Sequence, residues 1–214
     1  EVAEYILKSK WCNHELVNKI SNSGDNCLIK SCYRFPEIAE YILKSQWCTQ
    51  KLVDQINDCF DNCLIRACMN NTQVALYILK SKWCNQKLVN QVNTTGENCL
   101  IKACINNPQV ALYILNSKWC NKELISQVNY CGENCLIKAC RHNFFNIVKC
   151  ILDSEWCSQE LVNLINKGGN NCLMIACAKN NTEIVKYILD SKWCNYELVN
   201  QVSTAGDNCL THAC

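Results

Sequence analysis

The chain has 214 residues, and its 21 basic and 19 acidic side chains leave a formal net charge of +2. This balance lacks the basic excess that neutralises nucleic-acid phosphates, and the apolar runs are too short to span a bilayer, so we expect neither nucleic acid nor membrane as a partner. With 49% hydrophobic and 19% charged residues, the chain has enough apolar material for a folded core and is not disordered.

A repeat runs through the whole sequence. Trp-Cys pairs recur six times at spacings of 36, 36, 36, 37 and 37 residues, and the triplet Asn-Cys-Leu recurs with the same spacings. The predicted copies are residues 1–36, 37–72, 73–108, 109–145, 146–182 and 183–214, with boundaries good to a few residues. Eighteen of the 21 cysteines fall at three repeated positions, so the cysteine content is that of one unit multiplied. A fixed period of this length indicates stacked structural repeats.

Each copy divides into two or three short helices. The stretch before Trp-Cys carries a broad apolar stripe, as in residues 180–191, and Pro36 and Pro108 stand where this helix would begin. A second short piece, such as residues 84–92, follows Trp-Cys. A third begins at Asn-Cys-Leu, where Asn98 and its equivalents are typical helix N-caps after a turn. Since such short helices cannot bury their faces alone, the copies must stack.

These residues resemble the ankyrin-repeat family. Residues 178–189 are similar to the second half of an ankyrin unit, and residues 89–104 are similar to its turn and first helix. The family's Thr-Pro-Leu-His signature is replaced here by Asn-Cys-Leu, and the period exceeds the family's length of about 33 residues. The resemblance implies an all-α, ankyrin-like helical repeat solenoid. The pattern also resembles the divergent ankyrin-like arrays of giant DNA viruses.

The resemblance implies a non-catalytic protein–protein interaction solenoid. Two alternatives stay open: a structural protein that stacks end to end into a filament, and a viral adaptor for a host ubiquitin ligase. The partner is accordingly another protein or further copies of the chain, joined head to tail. Because the sequence opens and stops within a copy, it predicts either a slice of a longer array or end-to-end stacking. The compartment is unknown: host cytoplasm or virion for a viral protein, extracellular for a fibre.

Catalytic and metal-binding patterns are missing from the sequence. His14, His142 and His212 occupy three different repeat positions, and the turn glycines come singly. We therefore expect no enzyme activity and no cofactor. The cysteine spacing lacks the paired Cys-x-x-Cys of zinc sites, so no metal centre is predicted. Buried thiols are favoured over disulfides, which stay the alternative.

Differences among the six copies indicate where a partner would bind. Variation concentrates in the two residues before each turn glycine, and a basic residue recurs in four of the first helices. The resemblance places both sets beside a binding groove. The candidate partner-binding residues are Ser23, Cys59, Thr95 and Cys131 at the turns and Lys30, Arg66, Lys102 and Lys138 in the helices. A solvated row of basic side chains is the alternative for the second set.

The tryptophan of each Trp-Cys pair is interpreted as a spacer between copies, because aromatic side chains dominate core burial. A row of surface anchors is the alternative. The predicted inter-repeat core tryptophans are Trp11, Trp47, Trp83, Trp119, Trp156 and Trp193.

Overall fold

The chain forms two compact units, residues 1–94 and residues 95–214, and the computed structural model describes residues 2–214. In the first unit the helices are α1 (Val2–Lys8), α2 (His14–Asn18), α3 (Cys27–Arg34), α4 (Pro36–Lys44), α5 (Gln50–Val53), α6 (Cys63–Asn70), α7 (Thr72–Lys80) and α8 (Gln86–Asn90). In the second unit they are α9 (Cys99–Asn106), α10 (Pro108–Leu115), α11 (Lys122–Ser126), α12 (Cys135–Arg141), α13 (Phe145–Leu152), α14 (Gln159–Asn163), α15 (Cys172–Ala178), α16 (Thr182–Leu189), α17 (Tyr196–Asn200) and α18 (Cys209–Ala213).

The predicted all-α architecture is confirmed, since residues 2–214 contain helices and turns but no strand. Within each unit the helices recur as a triplet of one helix from Asn-Cys-Leu, one before Trp-Cys and one after it. Helices α4 and α10 begin at Pro36 and Pro108, as the sequence predicts. The boundary between the two units falls inside the third predicted copy, and the six copy boundaries stay predictions. None of the described helices is long and apolar enough to cross a bilayer.

A buried asparagine starts five of the six Asn-Cys-Leu helices and ties each of them to the following copy. In α9, Asn98 Oδ1 accepts a hydrogen bond from the Ile101 amide at 2.9 Å, which caps the helix. Asn98 Nδ2 donates to the Leu124 carbonyl, 26 residues further on, at 2.8 Å. Four other asparagines make the same pair of bonds: Asn26, Asn62, Asn134 and Asn171. One side chain therefore both begins a helix and holds the next short helix against it.

Leucine, isoleucine, alanine and cysteine fill the core of each unit. In α9, Cys99, Leu100, Ile101, Ala103 and Cys104 are fully buried. All 21 cysteines are free thiols, and only Cys59, Cys131 and Cys214 are classed as exposed. Small apolar thiols thus pack where the stacked helices approach one another.

Candidate interaction surfaces

Neighbouring turns are joined tip to tip by backbone hydrogen bonds. In the second unit the Thr95 carbonyl accepts from the Tyr130 amide at 3.0 Å, and the Cys131 carbonyl accepts from the Lys167 amide at 2.9 Å. In the first unit the Cys59 carbonyl accepts from the Thr94 amide at 2.8 Å. The side chains at these tips are exposed. Each unit therefore presents a row of variable side chains on a fixed main chain, which we call the turn-tip row.

A buried asparagine sets the shape of several tips. Asn129 Oδ1 accepts from the amides of Cys131 and Glu133, both at 3.0 Å, which folds the turn around its side chain. Asn129 Nδ2 donates to Glu97 Oε1 of the preceding tip at 3.0 Å. In the first unit Asn57 has the same role towards Cys59, Asp61 and Asp25. The tips are therefore held by side-chain bonds as well as by the backbone.

At some turns the glycine is favoured by close packing as well as by its backbone angle. Gly132 has φ of +76°, and a Cβ added there would lie 3.0 Å from the Asn166 Cα atom. In the first unit Phe60 takes the corresponding position with φ of +59° and an exposed ring. A non-glycine residue in this left-handed region carries a conformational cost. The turn at Phe60 is therefore the strained member of the set.

The basic candidates are mostly engaged in ion pairs. Lys102 pairs with Glu97, Lys138 pairs with Glu133, and Arg66 Nε lies 3.0 Å from Asp61 Oδ2. The side chains of Lys102 and Lys138 are only 14% and 13% exposed. Sequence reasoning missed these pairs, because each acid precedes the helix and lies five residues before its base. Lys30, in contrast, is exposed.

The ion pairs set the charge state of the buried acids. Burial acts to raise the pKa of Glu97, but hydrogen bonds from Lys102 and Asn129 outweigh it and hold the pKa below its ordinary value. Burial likewise opposes ionisation of Glu133, whereas Lys138 and Arg141 lower its pKa. Both carboxylates are therefore ionised at neutral pH, and the charges of these helix residues are compensated within the unit. As partner-binding residues, the eight candidates at the turns and in the helices stay predictions.

Most of the predicted spacer tryptophans are half-buried at the ends of the helices, rather than enclosed in the core. This holds for Trp47, Trp83, Trp119, Trp156 and Trp193, whereas Trp11 is 76% exposed. Indole Nε1 groups donate to a leucine carbonyl of the preceding copy, as from Trp47 to Leu7 at 3.2 Å, from Trp83 to Leu43 at 3.2 Å and from Trp193 to Leu152 at 2.8 Å. Each of these rings therefore bridges two copies through a directional bond.

Grooves open beside three of the tryptophans, between the ends of consecutive second helices. The Trp83 groove, which includes Leu43 and Tyr77, has a volume of about 320 Å³. The Trp193 groove, which includes Asp153 and Tyr187, has a volume of about 420 Å³. The third and largest groove, at about 770 Å³, is the Trp156 groove. We define it by Leu112, Asn116, Cys150, Asp153, Glu155 and Trp156.

Two features distinguish the Trp156 groove. The Trp156 indole N–H has no hydrogen-bond partner among residues 2–214. Cys150 occupies the repeat position at which Tyr77 and Tyr187 stand. Burial raises the pKa of the Cys150 thiol, although a hydrogen bond with Asn116 opposes the shift. The sequence signal for this groove was the position of Cys150 outside the threefold cysteine pattern, but sequence reasoning assigned it no role.

Residues 2–214 contain no cluster of three His, Cys, Asp or Glu side chains that could hold a metal ion. The exposed His142 has a neighbouring aromatic ring, that of Phe144, with the ring centroids 6.0 Å apart. His212 Nε2 lies 2.9 Å from Asn170 Oδ1.

Comparisons with known proteins point to a single fold. The family model described as ankyrin repeats (three copies) matches residues 116–200. A chain in the structure of the predatory endopeptidase Bd0816 from Bdellovibrio bacteriovorus in complex with the immunity protein Bd3460 is 16% identical, with a TM-score of 0.68 over 91% of this chain and 92% of that one. EF0377, an ankyrin repeat protein, is 18% identical, with a TM-score of 0.63 over 87% and 89% of the two chains. No curated protein sequence matches.

Proposed function

We propose that the chain is a non-catalytic scaffold that binds another protein, because a model of ankyrin repeats matches residues 116–200 and the all-α fold is similar to that of an ankyrin repeat protein. Ankyrin repeats are an interaction fold, and one of the similar structures is a complex of two proteins. The function itself has to be argued from a surface, since a fold alone does not specify one.

The observation that carries the proposal is the turn-tip row of the second unit. Its side chains are exposed, and they differ from copy to copy, as at Thr95, Tyr130, Cys131 and Lys167. Beneath them, the backbone bonds and the Asn129 network are nearly the same at each tip. A rigid main chain with variable, exposed side chains loses little conformational entropy on binding, which favours recognition of a protein surface. Tyr130, at 68% exposure, is the residue best suited to be an anchor.

Co-purification with paired variants tests this function. The full chain is immobilised, and the retained proteins are compared quantitatively with those retained by a variant carrying Tyr130→Ser and Lys167→Ser. A variant carrying Lys179→Ser and Glu183→Gln, two exposed changes away from the tips, is the control. The retained protein is then purified and its affinity measured by calorimetry. We expect the tip variant to bind at least tenfold more weakly and the control to bind like the parent. Equal binding by the two variants would contradict the proposal.

The filament and the ubiquitin-ligase adaptor stay predictions, because no contact among the described residues favours either one. Electron microscopy of the purified chain at several concentrations separates discrete particles from filaments. Discrete particles at all concentrations would rule out the filament and leave the binding scaffold as the function to test.

A further inference from the structure

The Trp156 groove lacks a tyrosine that the other two grooves contain. Tyr77 lines the Trp83 groove and Tyr187 lines the Trp193 groove, whereas Cys150 stands at this position in the Trp156 groove. A thiol is much smaller than a phenol, and the Trp156 groove is also the largest of the three, at about 770 Å³ against 420 and 320 Å³. The extra space is therefore at a place where this fold already accommodates a phenol ring.

Polar groups for a phenol are present in the groove. In the Trp193 groove, the Tyr187 hydroxyl lies 2.8 Å from both carboxylate oxygens of Asp153, which belongs to the preceding copy. Asn116 is the residue equivalent to Asp153 in the Trp156 groove, and its side chain offers an amide oxygen there. The indole N–H of Trp156 provides a donor that finds no acceptor within residues 2–214. A guest phenol would thus have an acceptor and a donor within the same groove.

Within residues 2–214, the ring of Trp156 also lacks the covering cation that other tryptophans have. Lys82, Lys118 and Lys192 each precede a tryptophan and hold the ammonium group 4.5, 4.5 and 4.7 Å from the centroid of that ring. Glu155 replaces this lysine before Trp156. The indole face of Trp156 is therefore not covered by a lysine, and the Glu155 carboxylate lies next to it in sequence. Both features favour binding of a positively charged group from a partner.

The lysines that line the groove do not fill this place. Lys118 lies over the ring of Trp119, and Lys149 lies 5.9 Å from the ring centroid of Tyr187. The carboxylate of Glu155 has no ion-pair partner among the described residues. The charge pattern at the Trp156 ring therefore favours a cationic guest.

We propose that the Trp156 groove binds a tyrosine side chain of a partner protein, in a segment whose neighbouring lysine or arginine pairs with Glu155 and covers the Trp156 ring. The partner segment thus supplies a tyrosine and a cation, the two groups that Tyr187 and Lys192 supply within the chain at the Trp193 groove. The proposal rests on the protein-binding function proposed above and adds a second contact point to the turn-tip row. Both surfaces lie within residues 95–214.

Nuclear magnetic resonance of the full chain tests the proposal with a defined probe. The six tryptophans give separate indole N–H signals, and Trp156→Phe assigns the relevant one. The probe is acetyl-Lys-Tyr-amide, compared with acetyl-Lys-Ala-amide and acetyl-Ala-Tyr-amide. We expect acetyl-Lys-Tyr-amide to shift the Trp156 signal selectively and saturably in the millimolar range, with each comparison peptide binding at least threefold more weakly.

Matched variants locate the binding site. Cys150→Tyr fills the groove with the residue that the other copies carry, and we expect it to weaken peptide binding at least tenfold. Cys150→Ala removes the thiol but leaves the groove open, so binding is retained. Tyr187→Cys opens space in the Trp193 groove but leaves Lys192 over the ring and the indole bonded to Leu152, so we expect no response of the Trp193 signal. Thermal melting of each variant establishes that it is folded.

Two outcomes would overturn the proposal: a Trp156 signal that does not respond up to the solubility limit of the peptide, or a response that survives in Cys150→Tyr. The turn-tip variant Tyr130→Ser with Lys167→Ser separates this proposal from the proposed function. It retains peptide binding if the groove acts as an independent subsite. If the peptide does not bind in the Trp156 groove, but the turn-tip variant still weakens binding of a partner protein, then only the groove proposal is wrong.

Discussion

The Trp193 groove and the Trp156 groove lie at equivalent positions of successive copies, but different side chains line them. At Trp193 the indole donates to Leu152, Tyr187 meets Asp153, and Lys192 lies over the ring. At Trp156 the indole N–H has no partner in the described chain, and Cys150 and Glu155 replace the tyrosine and the lysine. The comparison indicates that a repeat protein can gain a binding site where one copy has replaced side chains that make stabilising contacts in its neighbours. Residues that recur in every copy form the packed structure, and residues that differ in one copy leave room for a binding site.

The largest loss of stability is expected for the buried asparagines that join successive copies. Asn134→Ala removes the cap of α12 and leaves the Leu161 carbonyl and the Ile137 amide without their bonds. We expect a loss of about 2–4 kcal/mol in the free energy of unfolding, measured with urea.

Asn195→Ala is the matched control, since the Asn195 side chain caps α17 at Leu198 N and is only half-buried. Loss of a cap alone costs about 1 kcal/mol. Equal effects of the two substitutions would show that the bond from Asn134 to the following copy adds nothing to stability.

An exchange of residues between the two grooves tests the comparison directly. Tyr187→Cys removes a ring and a hydroxyl bonded to Asp153, and we expect it to lower the free energy of unfolding by about 1–2 kcal/mol. Cys150→Tyr fills an existing space and should leave stability unchanged or raise it by about 0.5–1 kcal/mol. Calorimetric melting temperatures provide the measurement. If Cys150→Tyr destabilised the chain as much as Tyr187→Cys, the two grooves would not be equivalent sites.

The buried acids should make part of the stability dependent on pH. The folded-state pKa of Glu133 is lowered, so its ion pairs stabilise the fold fully above the unfolded-state pKa near 4.5. This contribution is lost as the pH falls through the lowered folded-state value. Glu133→Gln should therefore cost about 1 kcal/mol at pH 7 and flatten the decline in stability below about pH 4.5.

Urea unfolding at a series of pH values measures this difference. Glu183→Gln, a change at an exposed helix residue, serves as the control and should leave the pH profile of the parent intact. A parallel decline in the parent and in Glu133→Gln would mean that other groups account for the acid sensitivity.

The smallest expected difference in stability is between phenylalanine substitutions of Trp193 and Trp156. Trp193→Phe keeps an aromatic ring but removes the bond to the Leu152 carbonyl, and we expect a loss of about 0.5–1 kcal/mol. Trp156→Phe removes an N–H that bonds to no described residue, so its effect should stay within about 0.5 kcal/mol. Thermal unfolding of the two variants side by side makes the test. A larger loss for Trp156→Phe would contradict the assignment of its indole as the open donor.

The sequence predicted the helical repeat because its signals are local and occur six times. Asn98 before an apolar helix and Pro108 at the first position of α10 act within one helical turn, so residue type alone indicates the structure there. The short piece after Trp-Cys was placed up to residue 92, whereas α8 ends at Asn90. A helix of this length has few internal bonds, and its end depends on the packing around it.

The site was harder to predict, because its contacts join residues far apart in sequence. The bond from Trp193 to Leu152 spans 41 residues, and no pattern within one copy reveals which carbonyl an indole will reach. The pairing of Lys102 with Glu97 depends on the turn that brings the acid back over the helix. One signal for the groove is present in the sequence. Cys150 stands at a position where other copies have tyrosine, and such a replacement indicates that a contact is missing.

The asparagine that caps one helix and holds the next copy also has a consequence for synthesis on the ribosome. Such bonds span 26 residues from Asn98 to Leu124, and the hydrogen bond between Asn170 and His212 spans 42. A nascent chain therefore needs only about 40 further residues outside the exit tunnel before one copy can dock onto the next. Each unit can grow copy by copy in the order of translation, and its buried thiols spend little time exposed to oxidants.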